Sequence, residues 1–344
     1  MSEPINVRSP KIISATGVAN DDIRAEIFLW NDPASQPATP NFILEKPIPS
    51  SIITECHFDI SPYCRGFIEH INYVEVTTDT AANVNEYAYC HVDVYRNGVL
   101  LLASFDYNFI CFDGFGYHAE GANPAHTQFL SDGDYYVNAV GNSGGVYYYD
   151  DQSVTWQARY TDLAAGGTTT TITLANEVGY IPYVHLSYLT TGNKLEIIRD
   201  SVVQNTYYFH VQSECKYETI NCDFVNKFGA WQRLVFFKAS QESFTMSNSE
   251  YNLMPEDIDY NVKRNVRQVF NVNGMDKITV NTGWVFESYS EVMKQLLLSE
   301  KILLDDKPVN VDTKSLELQK NINNRNINYN LSFKYSNPTL NYNI

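Results

Sequence analysis

Residues 219–238 read TINCDFVNKFGAWQRLVFFK, and the pattern on both sides of Gly229 decides how the rest of the chain is interpreted. Before the glycine, Ile220, Cys222 and Phe224 occupy every second position, as side chains on one face of a β-strand do. After it, the same period returns in Trp231, Arg233, Val235 and Phe237. Because a short glycine-containing connection joins the two patterns, the stretch predicts a β-hairpin.

The charge balance of the chain changes at this hairpin. Residues 1–213 contain 9 basic and 24 acidic side chains, a net charge of −15, whereas residues 214–344 contain 15 and 16, a net charge of −1. Such an asymmetry is typical of two kinds of module. We therefore interpret the hairpin as the start of a separate C-terminal module, residues 214–344.

Length and composition limit the function classes. At 344 residues the chain exceeds the ~250–300 at which single cores stop growing, so two or three domains are expected. The net charge of −16 repels phosphates, so no nucleic-acid partner is expected. The longest apolar runs, such as residues 99–103, fall far short of the ~20 residues that span a bilayer. Residues 1–10 lack the apolar core of a secretory signal, and we expect no membrane insertion.

Short strands separated by turn-forming residues fill most of residues 1–213. In residues 1–104 they predict an N-terminal Ig-like β-sandwich, with strands at 12–16, 23–30, 42–46, 52–60, 72–78, 86–95 and 99–104. Residues 153–213 predict a second, smaller fibronectin-like sandwich, with strands at 154–160, 168–174, 180–189, 194–199 and 206–212. The fold class is therefore mainly β.

Residues 105–152 have a different composition, in which glycine, aspartate and tyrosine are interleaved. Loop segments of this length in compact proteins are usually functional, so the sequence predicts a loop-rich contact surface. The candidate interaction residues are Tyr117, His118, Glu120, Asp132, Asp134, Tyr147, Tyr148 and Tyr149.

The C-terminal module is predicted to be an antiparallel sheet or barrel with one packed helix, residues 289–299. Ser288 and Glu291 have the spacing of a capping box, and the apolar stripe of the helix is interpreted as core packing. Strands are predicted at 265–272, 277–282, 301–304, 309–311, 316–322 and 327–335. The candidate core of this assembly module is Phe224, Trp231, Val235, Phe237, Leu296, Tyr329, Leu331 and Phe333.

The six cysteines are scattered and contain no Cys-x-x-Cys pair. Cys56, Cys90 and Cys222 lie on the apolar phase of alternating segments, which favours buried, reduced thiols. A zinc site or disulfides are the alternatives. Clustered acidic residues near 131–134 and 149–151 suggest a structural calcium as a further alternative, but they lack the spacing of an EF-hand loop. We expect no metal and no cofactor.

No local catalytic motif occurs: the chain has no Gly-x-Ser-x-Gly, no His-Glu-x-x-His and no phosphate-binding glycine-rich loop. Distant carboxylates can still form a glycosidase site. The residues that would serve such a site are Asp113, His118, Glu120, His126, Asp132 and Asp134. An acidic, aromatic loop is more often a solvated surface, so we predict a protein that is not an enzyme.

Five stretches resemble a family of structural proteins from tailed bacteriophages of Bacteroidota hosts. They are RAEIFLWNDPASQPATPNFILEKPIPSS (24–51), FDISPYCRGFI (58–68), VNKFGAWQRLVFFKAS (225–240), ITVNTGWVFESYSEVMKQLLLSEKILLDDKPVNV (278–311) and NRNINYNLSFKYS (324–336). The resemblance covers most of the chain. It implies a virion component of the tail, tail tip, baseplate or neck that is built into a symmetric assembly.

The expected function is therefore a structural ring or adaptor subunit located in the virion. Its expected partners are further copies of itself, in a symmetric homo-oligomer, and neighbouring virion proteins. The alternative of another class is a carbohydrate-binding host-recognition protein whose tyrosines stack on a host surface glycan. A depolymerase that uses Glu120 or Asp132 is a third hypothesis.

Overall fold

A computed structural model describes most of the chain: residues 2–31, 34–49, 52–73, 75–101, 107–124, 131–132, 135–138, 144–150, 155–164, 166–212, 216–254, 263, 265–314 and 326–340. These residues form several β-sheets and two α-helices, which confirms the mainly-β prediction. No barrel closes among them, so the module predicted as a sheet or barrel is an open sheet there.

The chain divides into two compact units. Unit 1 comprises Met1–Ser213, Asp223–Leu234 and Ser288–Ser299, and unit 2 comprises Glu214–Cys222, Val235–Glu287 and Glu300–Ile344. The predicted division at 213/214 therefore coincides with one of the observed boundaries. The turn half of the opening hairpin and the helix, both predicted in the C-terminal module, belong to unit 1.

The described residues of unit 1 before the hairpin form the strands β1 (Glu3–Asn6), β2 (Ile12–Thr16), β3 (Asp22–Trp30), β4 (Phe42–Pro47), β5 (Glu55–Asp59), β6 (Thr80–Ala81), β7 (Tyr87–Arg96), β8 (Val99–Leu100), β9 (Tyr107–Phe112), β10 (Tyr135–Asn138), β11 (Gly145–Tyr149), β12 (Trp156–Asp162), β13 (Thr169–Thr173), β14 (Val178–Pro182), β15 (Gly192–Arg199) and β16 (Val202–Gln212). The helices are α1 (Ser61–Arg65), α2 (Tyr289–Leu298) and two 3₁₀ turns, His118–Glu120 and Leu186–Tyr188. The two strands of the hairpin are β17 (Ile220–Val225) and β18 (Trp231–Phe236).

In the part of unit 1 that the structure describes, strands β1–β16 form three sheets and one separate strand pair. The first sheet has the order β1-β9-β7-β3-β4 with β8 on β7, the second has the order β10-β16-β15-β12-β13, and the third has the order β11-β14-β6. Strands β2 and β5 pair separately. The alternating segments bury one face, so that Ile23, Ala25 and Ile27 of β3 face the core that also contains Cys90 and Val92 of β7.

The segment predicted to be loop-rich, residues 105–152, supplies strands to all three sheets. Strand β9 pairs with β1 and β7, β10 pairs in parallel with β16, and β11 pairs with β14. The prediction of a loop surface is therefore wrong for the described part of this segment. The physical reason is burial on both sides: all five residues of β11 are buried, so no polar alternation marks it as a strand.

Strand β6 pairs with β14, at Thr80 with Tyr180 and Ala81 with Gly179. This pairing joins the two segments predicted as separate sandwiches, residues 1–104 and 153–213. The predicted strand at 72–78 does not form in the described residues there, although Tyr73 and Val76 are buried.

Unit 2 contains the strands β19 (Gln241–Asn252), β20 (Arg267–Asn281), β21 (Val285–Phe286), β22 (Ile302–Leu304), β23 (Lys307–Val311), β24 (Asn326–Ile327) and β25 (Asn330–Tyr335). Five of them pair in the order β22-β23-β25-β20-β19, and β21 pairs with β24. Strand β20 replaces the two strands predicted at 265–272 and 277–282, and β19 was not predicted. The strand predicted at 316–322 lies outside the described residues.

The predicted core residues are all buried, but they belong to two cores. Phe224, Trp231 and Leu296 are in unit 1, whereas Val235, Phe237, Tyr329, Leu331 and Phe333 are in unit 2. In unit 2 the ring centroid of Phe236 lies 6.3 Å from that of Phe333.

Helix α2 forms at the predicted residues, and the apolar residues of its stripe pack inward, which confirms its role in packing: Tyr289, Val292, Met293 and Leu296 are buried and Leu297 is half-buried. The predicted capping box is wrong. The Ser288 side chain makes no capping hydrogen bond, and the Glu291 carboxylate accepts a hydrogen bond from Tyr117 instead.

Candidate functional site

The eight residues predicted as an interaction surface fall into three groups. Tyr117, His118 and Glu120 surround the first 3₁₀ turn, where Tyr117 is half-buried and the other two are exposed. Asp132 is half-buried. Asp134 lies outside the described residues, as does His126 of the hypothetical glycosidase site. The three tyrosines of β11 form the third group.

Tyr147, Tyr148 and Tyr149 are at most 4% exposed, so the prediction that they form a contact surface is wrong. The ring of Tyr147 packs 4.8 Å from that of Tyr180, and the Tyr148 hydroxyl donates a hydrogen bond to Asp79 Oδ1 (2.9 Å). The glycan-binding hypothesis loses these stacking residues, because a buried ring cannot contact a sugar.

Tyr117 and Glu120 belong to a network that also contains Lys227, Glu291 and Lys294, which we call the Tyr117 network. Local backbone geometry places its first members. The Tyr117 N–H donates to Glu120 Oε2 (2.8 Å), and the Glu120 N–H donates to the Tyr117 carbonyl (2.8 Å), which closes the 3₁₀ turn.

The turn of the hairpin brings Lys227 to this network. Its carbonyl accepts the Phe115 N–H (2.7 Å), and its Nζ lies 2.5 Å from Glu120 Oε1. Gly229 makes the close approach possible, since it has a φ of +79° and a β-carbon there would lie 2.5 Å from the Asp113 nitrogen. The hairpin turn is thus fixed against residues 113–115.

Helix α2 supplies the other side of the network. The Tyr117 hydroxyl donates to Glu291 Oε1 (2.6 Å), and Lys294 Nζ lies 3.5 Å from the centre of the Tyr117 ring. A cation over an aromatic face is attracted by the ring quadrupole. Burial, together with the neighbouring Glu291 carboxylate, raises the pKa of the Tyr117 hydroxyl, which therefore stays a donor.

Gln295 was missed in the sequence because it lies on the buried face of α2, where apolar residues are expected. It is fully buried; its Oε1 accepts the Lys227 N–H (3.2 Å), and its Nε2 donates to Asp132 Oδ2 (2.8 Å). Burial raises the pKa of Asp132, and the bond from Gln295 partly offsets this. Asp132 and Glu120 are thus each engaged by a donor that fixes α2 or the hairpin turn, an arrangement that suits a structural role.

We predict that Tyr117→Phe lowers the free energy of unfolding by about 1 kcal/mol, because the Glu291 carboxylate then loses a donor. Urea denaturation of Tyr117→Phe, Glu291→Ala and the double variant forms a cycle that isolates the pair. A coupling energy near zero would show that the hydroxyl contributes nothing to holding α2.

The hairpin also contains a buried ion pair, which the alternation of apolar and polar residues did not predict. The Arg233 guanidinium contacts the Asp223 carboxylate with two parallel bonds, Nε to Oδ1 (2.7 Å) and Nη2 to Oδ2 (2.8 Å). Its Cζ lies 4.2 Å from the centre of the Tyr73 ring. Asp223 is fully buried and Arg233 is 7% exposed. The presence of an Asp and an Arg on the two strands of one hairpin was the sequence signal that could have indicated this pair.

Strands β19 and β20 project as a ribbon from the sheet of unit 2. Among the described residues, β25 pairs with β20 only at Lys277–Asn281, and beyond this point β19 is the strand partner of β20. We call residues 244–254 and 266–276 the arm. Residues 339–340 also contact the arm: the Thr339 N–H donates to the Gly274 carbonyl (2.9 Å), and the Leu340 N–H donates to Asn273 Oδ1 (3.2 Å).

The arm carries large apolar side chains that are 36–86% exposed: Phe244, Met246, Tyr251, Met254, Val266, Val269, Phe270 and Val272. Val269 and Phe270 are neighbours in a strand, so they point to opposite faces, and each is 50% exposed. A β-bulge interrupts the pairing near Asn271, whose φ is +53°. Both faces of the arm therefore carry exposed apolar side chains.

The structure brings together three cysteines that are far apart in the sequence. Cys64 of α1, Cys90 of β7 and Cys111 of β9 are at most 1% exposed, and their Sγ atoms all lie within 4.8 Å of one another. The prediction of buried, reduced thiols is confirmed for Cys56, Cys90 and Cys222. The convergence of Cys64 with Cys90 and Cys111 was not predicted.

Within the described ranges, no helix has the length and apolar character required to cross a lipid bilayer. No model of a known protein family matches the chain, and no curated protein matches its sequence.

Proposed function

We propose that this protein is a non-enzymatic structural subunit of a tailed-phage particle, and that its copies associate with one another through the arm. The observation that carries the proposal is the set of large, exposed apolar side chains on both faces of β19 and β20. The resemblance to phage structural proteins supports the virion location and a place in the tail, baseplate or neck.

An isolated two-stranded ribbon is at best marginally stable in water. Local packing helps at its base, where the Phe244 ring lies over Gly274 so closely that a β-carbon at residue 274 would be 2.0 Å from ring atom Cζ. Further out, the rings of Tyr251 and Phe270 contact each other with centroids 5.5 Å apart, but these side chains remain 43% and 50% exposed. A neighbouring molecule that covers both faces would bury these groups and complete the hydrogen bonds of edge strand β19.

The size of the arm suits a specific interface. At ~3.3 Å per residue the ribbon is about 35 Å long, and with a width of about 10 Å its two faces offer roughly 700 Å². A standard protein interface buries about 800 Å² on each partner. The arm alone therefore supplies nearly one partner's share of a stable contact.

Charge favours a second copy as the occupant. The whole chain has a net charge of −16, which opposes self-association over most of its surface. Residues 244–254 and 266–276 contain two acidic side chains, Glu250 and Asp276, and one basic side chain, Arg267, and Arg267 lies 3.6 Å from Glu250. Because the arm is almost neutral, two acidic copies can approach each other there. A basic partner would be attracted to the acidic surface of the rest of the chain rather than to the arm in particular.

We predict that wild-type protein forms an oligomer and that Val269→Lys and Phe270→Lys each weaken its association by about 30-fold or more, as expected for a central interface residue. The measurement is light scattering after size-exclusion chromatography over a range of concentrations. Val99→Lys is the matched control, because Val99 is 67% exposed in β8 of unit 1. Wild-type protein that stays monomeric at high concentration would refute association through the arm.

The virion location has a separate test. Mass spectrometry of purified particles that encode this chain should detect it at a fixed, multiple copy number. Its absence from the particles would refute the virion role while leaving self-association untouched.

A further inference from the structure

We propose that Cys64, Cys90 and Cys111 form a binding site for one thiophilic metal ion of the Cu(I) class. This inference is independent of the proposed function. It rests on three cysteine sulfurs that converge from three elements of unit 1.

The distances suit a single ion. A metal–sulfur bond of about 2.3 Å places three equivalent sulfurs roughly 3.8–4.0 Å apart around the ion. The three Sγ atoms already lie within 4.8 Å of one another, so binding requires a contraction of less than about 1 Å. Small side-chain rotations achieve this.

The sheet fixes two of the three ligands in advance. In the antiparallel pair of β7 and β9, Cys90 is opposite Phe109, and Cys111 is opposite Ala88. Cys90 and Cys111 are therefore diagonal neighbours on the same face. Cys64 reaches them from α1. Ligands on rigid elements lose little conformational freedom when an ion binds.

The chemistry of the site selects a soft ion. Thiolates prefer Cu(I), zinc and iron–sulfur clusters to hard cations such as Mg²⁺ or Ca²⁺. Structural zinc is almost always four-coordinate. The described residues offer three ligands here and no fourth His, Cys, Asp or Glu, and the three cysteines belong to the apolar core around Ile27 and Val92, which leaves little room for water.

The test uses full-length, reduced protein and Cu(I) presented as its bathocuproine disulfonate complex, which reports transfer by a loss of colour. We expect one Cu(I) per chain, thiolate-to-copper absorption in the near ultraviolet and a higher melting temperature, because an ion that binds the native state stabilises it. Cys90→Ala and Cys111→Ala should each lower the apparent affinity at least about tenfold. Cys222→Ala, another fully buried cysteine, should bind as the wild type does.

X-ray absorption at the copper edge of the wild-type complex tests the site without any substitution. Three sulfur neighbours at about 2.3 Å are expected. Fewer than three sulfurs, no transfer of Cu(I) to the wild type, or equal transfer to Cys90→Ala, Cys111→Ala and the wild type would each overturn the proposal. Preferential binding of Zn²⁺ in direct competition would overturn the choice of ion.

Discussion

Replacing Asp223 with alanine is expected to lower the free energy of unfolding by about 3–5 kcal/mol, because it leaves the Arg233 guanidinium buried without its carboxylate. Asp223 is fully buried, whereas Glu75, whose Oε1 lies 3.9 Å from Arg233 Nη1, has a side chain that is 72% exposed. The Tyr73 ring, which the guanidinium faces, stabilises a charge less well than water does.

The measurement is chemical denaturation followed by tryptophan fluorescence, since Trp231 lies two residues from Arg233. The matched control is Glu3→Ala, which breaks the partly exposed pair of Glu3 and Lys11 and should cost no more than about 1 kcal/mol. The double variant Asp223→Leu/Arg233→Met tests the mechanism. It removes both charges and should recover much of the loss, whereas a double variant as unstable as Asp223→Ala would mean that packing, not the unpaired charge, dominates.

Elements with one buried face could be predicted from the sequence. Strands β2, β3 and β7 and helix α2 bury one side and expose the other, so their periodicity of 2 or 3.6 survives in the sequence. Their bounds differ from the predicted ones by no more than about two residues, which is the usual uncertainty at element ends.

Elements without such a contrast could not be predicted. Strand β11 is buried on both faces and shows no alternation of apolar and polar residues, and β19 is exposed on both and alternates only at residues 244–247. In β19, serine, asparagine and glutamate between Phe244 and Tyr251 are typical of a loop. Only the pairing with β20 makes this stretch a strand.

The candidate sites could not be predicted from the sequence because contacts between distant segments form them. The position of Tyr117 relative to Glu291, or of Cys64 relative to Cys111, depends on how the elements pack, and no local pattern contains that information. The polar positions of the opening hairpin are the clearest example of a local pattern that fails to predict burial. Asp223 occupies the position where alternation predicts a solvated residue, yet it is buried because Arg233 neutralises it.

Glu86 provides the second large effect, a dependence of stability on pH. It is 2% exposed, and its Oε2 accepts a hydrogen bond from the Tyr180 hydroxyl (2.7 Å). Burial raises the pKa of the carboxyl from 4.5 to about 7, and the bond from Tyr180 offsets only part of this effect. The nearby rings of Tyr180 and Tyr147 are themselves buried and have raised pKa values, so they remain neutral in this range.

Between pH 4.5 and about 7 the native state therefore holds a proton that the unfolded state has released. The free energy of unfolding decreases with rising pH wherever the native state binds more protons than the unfolded state does. The contribution of Glu86 is therefore favourable at low pH, declines through this window and is constant above it. The shift corresponds to a loss of roughly 3 kcal/mol.

Glu86→Gln keeps an acceptor for Tyr180 but cannot ionise. We expect the variant to be more stable than the wild type above about pH 7 and similar to it near pH 4.5, as measured by urea denaturation across the range. Tyr180→Phe should move the midpoint to higher pH, because it removes a bond that favours the carboxylate. Parallel stability curves for the wild type and Glu86→Gln would contradict the assignment of this pH dependence to Glu86.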